Sequence, residues 1–341
     1  MKRLFLLIVS VCLLLAGCST AAVPEKNQYT ATFLNLFDTV TTIVGREESR
    51  EAFQEKAQAI RDELEYYHRL FDIYNDYEGV ANIKTINDNA GIRPVTVDRT
   101  IIAFLLDCKD YYQRTGGRVN VAMGSVLQLW HEARTDGIRD PLHAQLPEEE
   151  QLRQAAEHTA FDRILINEAE STVFLADPAM RLDVGAVAKG WATQRVAEKA
   201  PAGLLISVGG NVCATGPKSE DGTPWIIGIQ DPDDGSKNLH AIYVAAGAVV
   251  TSGDYQRTYV VDGRAYHHII DPETRMPGTR WRSVSVVCSD SGLADALSTG
   301  LFLMDLEEGK RLAEACGAEV LWVDGNGTEF MTAGFESKLR N

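Results

Sequence analysis

From residue 163 onward the chain carries short runs rich in β-branched and aromatic residues that do not alternate regularly with helical segments. The pattern predicts strands over 163–167, 172–175, 204–208, 225–229, 241–244, 259–261 and 283–287, with helices at 186–199, 292–304 and 306–316. A doubly wound sheet needs a helical crossover between successive parallel strands, and several of these strands follow one another directly. The expected class is therefore α+β, one large mixed α/β domain. Upstream, 30–45 reads as a hairpin rich in Thr, Val and Phe. Ser49 then caps a helix with Phe53, Ala57, Ile60, Leu64, Tyr67 and Phe71 at helical spacing. A second helix is expected over 100–115, with Ile101, Leu105, Cys108 and Tyr112 on one stripe and Gly116–Gly117 closing it, and Pro147 is expected to open a third.

The extreme N-terminus stands apart from this domain. Lys2 and Arg3 precede an apolar run from Leu4 to Leu15 that is short for a bilayer span, and LAGCS at 15–19 supplies a small-residue cleavage site. Residues 1–17 are expected to be an export signal and 18–28 a polar tether, leaving 29–341 as the folded domain. Of the 341 residues 45% are hydrophobic, enough for a real core. Net charge is −15, and removing Lys2 and Arg3 with the signal leaves 31 basic against 48 acidic residues. Nucleic acid is therefore a poor partner for the general surface, and a polyanionic substrate needs a local device such as a metal ion or a helix N-terminus. Cys108, Cys213, Cys288 and Cys316 are scattered singles without a C-x-x-C. They read as buried thiols or, outside the cytoplasm, as disulfide partners.

Four blocks gather the polar chemistry. LDVGAVAKGWATQRVAEK at 182–199 joins a glycine turn to an amphipathic helix whose first amides can face a phosphate, with Lys189 within a turn of them. LLISVGGNVCATG at 204–216 ends a buried strand in Gly209–Gly210, which marks close approach by a ligand or by a neighbouring strand. TSGDYQRTYVVDGRAYHHIIDPETRMP at 251–277 concentrates Asp254, Arg257, His267, His268 and Asp271 around two turns. Alternation along an extended 265–270 sends His267 and His268 to opposite faces. In SDSGLADALSTGLFLM at 289–304, Asp295 and Thr299 stand at i and i+4 on one helix face, two hard oxygen ligands of the kind Mg²⁺ takes.

In order and spacing, DVGAVAKGWA, SVGGN, VVTSGDY with YHHIIDPET, and SGLADALST resemble the FAD:protein FMN transferase (ApbE) family along essentially the whole mature chain. The Cys18 context likewise resembles the bacterial lipoprotein pattern, in which that cysteine is acylated and anchors the protein to the membrane. The family resemblance implies a T-fold-related domain that moves FMN from FAD onto a Thr or Ser of an exported acceptor, a subunit of a membrane redox system, releasing AMP and using Mg²⁺. It implies that His268 is the catalytic histidine, and that Asp295, Thr299 and the Ala186 carbonyl hold Mg²⁺. Phe37, Tyr74, Asn120, Asp183, Lys189 and Ile269 fall where the family contacts the flavin nucleotide. The chain departs from the family pattern at Phe37-Asp38-Thr39, where Met-Gly-Thr is frequent, and at Val119-Asn120-Val121-Ala122, where Phe-Asp-Val-Thr is frequent. Two rivals use the same pocket: hydrolysis of FAD to FMN and AMP, and capture of a flavin nucleotide without chemistry.

Overall fold

The computed structural model describes residues 26–340. The signal over 1–17, Cys18 and most of the tether lie outside the described residues. One antiparallel sheet joins both ends of the described chain, in the order Asn27–Leu36, Thr39–Glu47, Leu204–Val208, Asn211–Ala214, Gly247–Gly253, Trp281–Cys288, Glu319–Asp324 and Glu329–Met331. Because its first and last strands come from opposite ends of the sequence, the chain folds as a single mixed α/β domain.

Helices Arg50–Phe71, Ala188–Lys199 and Ser291–Phe302 lie on one face of the sheet. The other face is closed by the hairpin of Trp225–Gln230 with Asn238–Val244 and by Phe335. Coverage on both sides explains why Glu319–Asp324 carries the unbroken apolar run Val320–Val323, and why Trp281–Cys288 is buried along nearly its whole length, Ser283 and Ser285 included. Along them Val284, Val286, Val320 and Trp322 face the helices, and Val287, Leu321 and Val323 face the hairpin.

The long first helix forms as its spacing predicts, with Ser49 Oγ accepting from Ala52 N–H and all six apolar positions buried. The 100–115 helix is observed as Arg99–Arg114, with Tyr112 half-buried against Phe161. Pro147 lies before the N-cap Glu148 rather than inside the helix Glu149–Ala156. Three α-helices have no counterpart in the sequence reading: Ile83–Asp88, Gly124–Arg139 and the short Ala333–Glu336. The strands Asn211–Ala214, Gly247–Gly253, Glu319–Asp324 and Glu329–Met331 were likewise not foreseen.

The extended stretch expected over 265–270 is also shorter than predicted. The strand Arg264–Tyr266 ends before His267, and the chain to Ile269 is irregular, held by side-chain hydrogen bonds instead of a ladder. The four downstream cysteines are free, with Cys108, Cys213 and Cys288 buried.

Candidate active site

Two hairpin tips build one wall of the site. Leu36 pairs with Thr39, so Phe37 and Asp38 form a two-residue turn with φ of 52° at both. That turn normally carries Asn-Gly, because a positive φ crowds a Cβ. A phenylalanine there costs on the order of 1–3 kcal/mol and persists only when its surroundings hold it. Phe37 N–H donates to His68 Nδ1 at 3.2 Å, and the two rings meet edge to face. The second tip is Gly209–Gly210, at φ 57° and 93°. Gly209 N–H donates to the Val40 carbonyl, and a Cβ on Gly209 would lie 2.6 Å from Thr39 Oγ1. Gly209 thus reflects close approach of a neighbouring strand, whereas Gly210 has open space beside it and is called for by its positive φ.

Behind these tips lies a cavity of about 330 Å³. Phe37, Tyr74, Asn120, Asp183, Ala186, Lys189, His268, Ile269, Asp295 and Thr299 all line it, so residues from six separate stretches converge.

Asp295 is the most constrained of them, only 5% exposed. Its Oδ2 accepts from Gly190 N–H at 2.8 Å and from Asn211 Nδ2 at 3.3 Å. The Gly190 amide at the start of the helix Ala188–Lys199 is therefore spent on Asp295, so of the amides at this helix start it is not one that can face a phosphate. A Cβ on Gly190 would come within 2.3 Å of Asp295 Cβ, so only glycine lets the two helices meet here. Burial raises the Asp295 pKa, opposed by the Lys189 charge and these hydrogen bonds. Thr299, one turn on, reaches Ser252 Oγ at 3.5 Å.

This arrangement suits a hard cation. Asn211 Oδ1 is buried beside Asp295 without a hydrogen-bond partner, an acceptor that a cation or its water would satisfy. Among the described residues no three His, Cys, Asp or Glu side chains gather into a self-sufficient metal cage. A single carboxylate with neutral oxygens fits Mg²⁺, which keeps waters and takes substrate phosphates as ligands.

The two histidines have different jobs. His267 is 8% exposed; its Nε2–H donates to the Gly278 carbonyl at 2.7 Å and its Nδ1 accepts from Ile269 N–H at 3.1 Å. Both ring nitrogens are committed, and the ring sits edge-on to Phe302. His268 faces the cavity, and its Nδ1–H donates to the Gln256 carbonyl at 3.2 Å. A carbonyl only accepts, so Nε2 is left as the unprotonated nitrogen. Loss of hydration, then the charges of Arg257, Lys189 and His267, push the His268 pKa down to about 3. That lies well below the ordinary histidine value near 6.5.

At the rim Tyr74 Oη lies 3.0 Å from His131 Nδ1, and His131 Nε2 is 3.9 Å from Asp183 Oδ2. Asp183 Oδ1 also accepts from Gly185 N–H. Lys189 Nζ donates to the Gly185 carbonyl at 3.2 Å. The Asn120 amide is largely occupied, donating to the Thr159 carbonyl and accepting from Ala122 N–H. His131 escaped the sequence reading because its helix, Gly124–Arg139, starts at Met123 without a side-chain cap. The available signal was Val126, Leu127 and Trp130 at helical spacing.

A sheet covered by helices on one face, with a nucleotide-sized cavity framed by one buried carboxylate and one histidine, defines a class met among known proteins. A family model described as the ApbE family matches residues 37–322, and the chain belongs to that family. The FAD:protein FMN transferase of Treponema pallidum is 32% identical over 277 residues, covering 76% of this chain and 75% of that protein. A FAD:protein FMN transferase of Klebsiella pneumoniae is 27% identical over 338 residues, covering 95% and 93%. Among solved structures, the ApbE protein of Thermotoga maritima superposes with a TM-score of 0.81 at 27% identity, covering 92% of this chain and all of that one.

Proposed function

We propose that this chain, a flavin transferase by family, moves FMN from FAD to a Thr or Ser hydroxyl of an exported acceptor protein in a Mg²⁺-dependent reaction. The observation that carries the reading is the convergence of His268, Asp295, Thr299 and the six nucleotide-contact candidates on one cavity. In the step, the acceptor oxygen forms a bond to the riboflavin-side phosphorus and the bond from that phosphorus to the AMP phosphate oxygen breaks. Its electron pair leaves with AMP, and the hydroxyl proton passes to His268 Nε2. Asp295, Thr299 and the Ala186 carbonyl would hold Mg²⁺, which supplies neutralisation of the pyrophosphate charge. Gln256 fixes the ring of His268 through Nδ1, so that Nε2 is presented as a lone pair.

Phe37 and Tyr74 offer aromatic surface at the cavity mouth, and Asp183 and Lys189 offer a polar pair for the nucleotide. Anchoring at Cys18 on the extracytoplasmic side of the cell membrane would bring the enzyme to acceptors in membrane redox systems. The test is to incubate the protein with FAD, Mg²⁺ and a candidate acceptor and to follow acceptor mass together with AMP. Acceptor heavier by FMN with matching AMP supports transfer. AMP with free FMN and unmodified acceptor means hydrolysis, and bound FAD without AMP means capture alone.

A further inference from the structure

The chain is strongly acidic overall, yet the loop after the strand Gly247–Gly253 and the helix Gly124–Arg139 bring two arginines together without an acid between them. Arg257 lines the main cavity and, with Arg134, His131 and His268, a small recess beside it that is otherwise walled by aromatic and apolar side chains. Among the described residues neither Arg134 nor Arg257 has a carboxylate within 4 Å. The nearby Arg118 and Arg282, by contrast, are both ion-paired, Arg118 with Glu273 and Arg282 with Asp254 and Asp233. Arg257 is also held at φ 49°, a conformation an L-residue adopts at a cost. The preceding residue supplies the carbonyl that orients His268, so the guanidinium is tied by its backbone to the reacting end of the cavity.

Two unneutralised like charges facing a cavity oppose each other in the empty protein and are relieved by an anion. Arg134 shows that opposition, since burial and then the Arg257 charge lower its hold on its proton. The Arg257 charge also reaches His268, Asp295 and Tyr74, three groups that frame the cavity. A guanidinium offers forked donors matched to phosphate oxygens.

We infer that Arg257 and Arg134 form a phosphate subsite that grips the pyrophosphate of the dinucleotide beside His268, an assignment that rests on the flavin-transfer reading above. The subsite places two positive charges on the phosphates from the side of the recess, in addition to the Asp295 and Thr299 face of the helix Ser291–Phe302, which lines the same cavity. A pyrophosphate bound there also offsets the cations that depress His268, so that the base gains proton affinity when substrate is present.

Binding of inorganic pyrophosphate and of riboflavin, measured separately by calorimetry and flavin fluorescence without Mg²⁺, tests this. Arg257→Gln and Arg134→Gln are each expected to weaken pyrophosphate at least fivefold, the double variant more, and riboflavin less than twofold. The dependence of pyrophosphate affinity on salt should flatten in step with the charges removed. Unchanged pyrophosphate affinity in the double variant overturns the subsite, as does an equal loss of riboflavin in variants that melt like the wild type. Turnover is not needed for this readout. A wild type that grips pyrophosphate through both arginines but releases no AMP from FAD overturns the proposed function and leaves the subsite standing. Transfer by wild type, with the double variant binding pyrophosphate normally, overturns the subsite alone.

Discussion

Tyr74 and His131 are joined at 3.0 Å across the cavity mouth, from Oη to Nδ1, although 57 positions separate them in the chain. Tyr74 is otherwise an exposed aromatic at 59% accessibility, so this bond is what fixes its ring. Loss of hydration and then the Asp183 carboxylate raise the Tyr74 hydroxyl to about 12, so it stays protonated and can donate to Nδ1. His131 Nε2–H then faces Asp183. Removing the tie with His131→Ala should loosen Tyr74 and raise the KM for FAD roughly 3–10-fold, the worth of about one net hydrogen bond, with kcat within about twofold. Tyr74→Phe should give a similar rise in KM, and the double variant little more than either. Steady-state kinetics of the three proteins decide it, and fully additive losses would show that the two residues act separately.

His268 should give different acid limbs in the two pH profiles. In the free protein its pKa is pushed down to about 3, so kcat/KM should not fall on its account as pH drops toward about 5. A bound pyrophosphate opposes the Arg257 and Lys189 charges, so the acid limb of kcat should lie at higher pH. Coincident limbs would argue against a substrate-raised base. Because the folded pKa is below the unfolded value of about 6.5, the unfolded chain takes up the proton first. The stability contributed by a neutral His268 is complete above about pH 6.5 and is lost as pH falls toward 3. His268→Gln should therefore melt with a weaker pH dependence in that window. His268→Ala should slow transfer by about 10²–10⁴-fold. His267→Ala, which frees the Gly278 carbonyl and the Ile269 amide, should lower the melting temperature more than the chemistry.

Much of the site was legible because its residues sit in short motifs with a local cause. Asp295 and Thr299 are one helical turn apart, and the separation of His267 from His268 survives although its cause is different. Hydrogen bonds donated by the two imidazoles to the Gly278 and Gln256 carbonyls orient the rings where strand alternation was expected to do so. What the sequence hid depends on contacts between distant segments. Gly190 reads as a turn or packing residue until Asp295 is placed against it, and Asp295 reads as a surface carboxylate until Gly190 and Asn211 bury it. The helix Gly124–Arg139 carries His131 and Arg134, yet its start has no side-chain cap, and the spacing of Val126, Leu127 and Trp130 was its main local signature.

Gly190→Ala tests that buried contact. The added methyl would fall 2.3 Å from Asp295 Cβ and 2.4 Å from the Ser291 carbonyl, neither of them the free end of a long side chain. Separating the helices should cost about 1–3 kcal/mol and lower the melting temperature. The same shift should move Asp295 and increase the Mg²⁺ needed for half-maximal AMP release. A variant that melts and titrates like the wild type would mean that the helices yield without consequence.

Cys18 is expected to carry the membrane anchor. Cys18→Ala should leave the protein unacylated and release or misprocess it, while a version lacking the signal should be soluble and active. Fractionation with mass analysis of the N-terminus decides it, and a processed, membrane-bound Cys18→Ala protein would remove the lipid anchor from the account.

The metal assignment separates Asp295 from Thr299. Asp295 is buried and accepts from the Gly190 and Asn211 donors, so Asp295→Ala strands two donors and costs about 1–3 kcal/mol for each left unpaired, partly offset by removing a buried charge. Asp295→Asn keeps the shape and one acceptor oxygen while removing the charge, so it isolates the role in cation binding. Thr299→Val removes a neutral oxygen at nearly constant volume. If both hold Mg²⁺ against the pyrophosphate, Asp295→Asn should nearly abolish AMP release at low Mg²⁺, with partial recovery as the ion is raised. Thr299→Val should shift the Mg²⁺ curve by a smaller factor without lowering its plateau, because a neutral ligand contributes less than a charged one to holding the ion. AMP release against Mg²⁺ concentration for the three proteins, with melting temperature as the folding control, is the measurement. Superimposed curves from equally stable proteins would place the ion elsewhere and leave Asp295 as a helix-packing carboxylate.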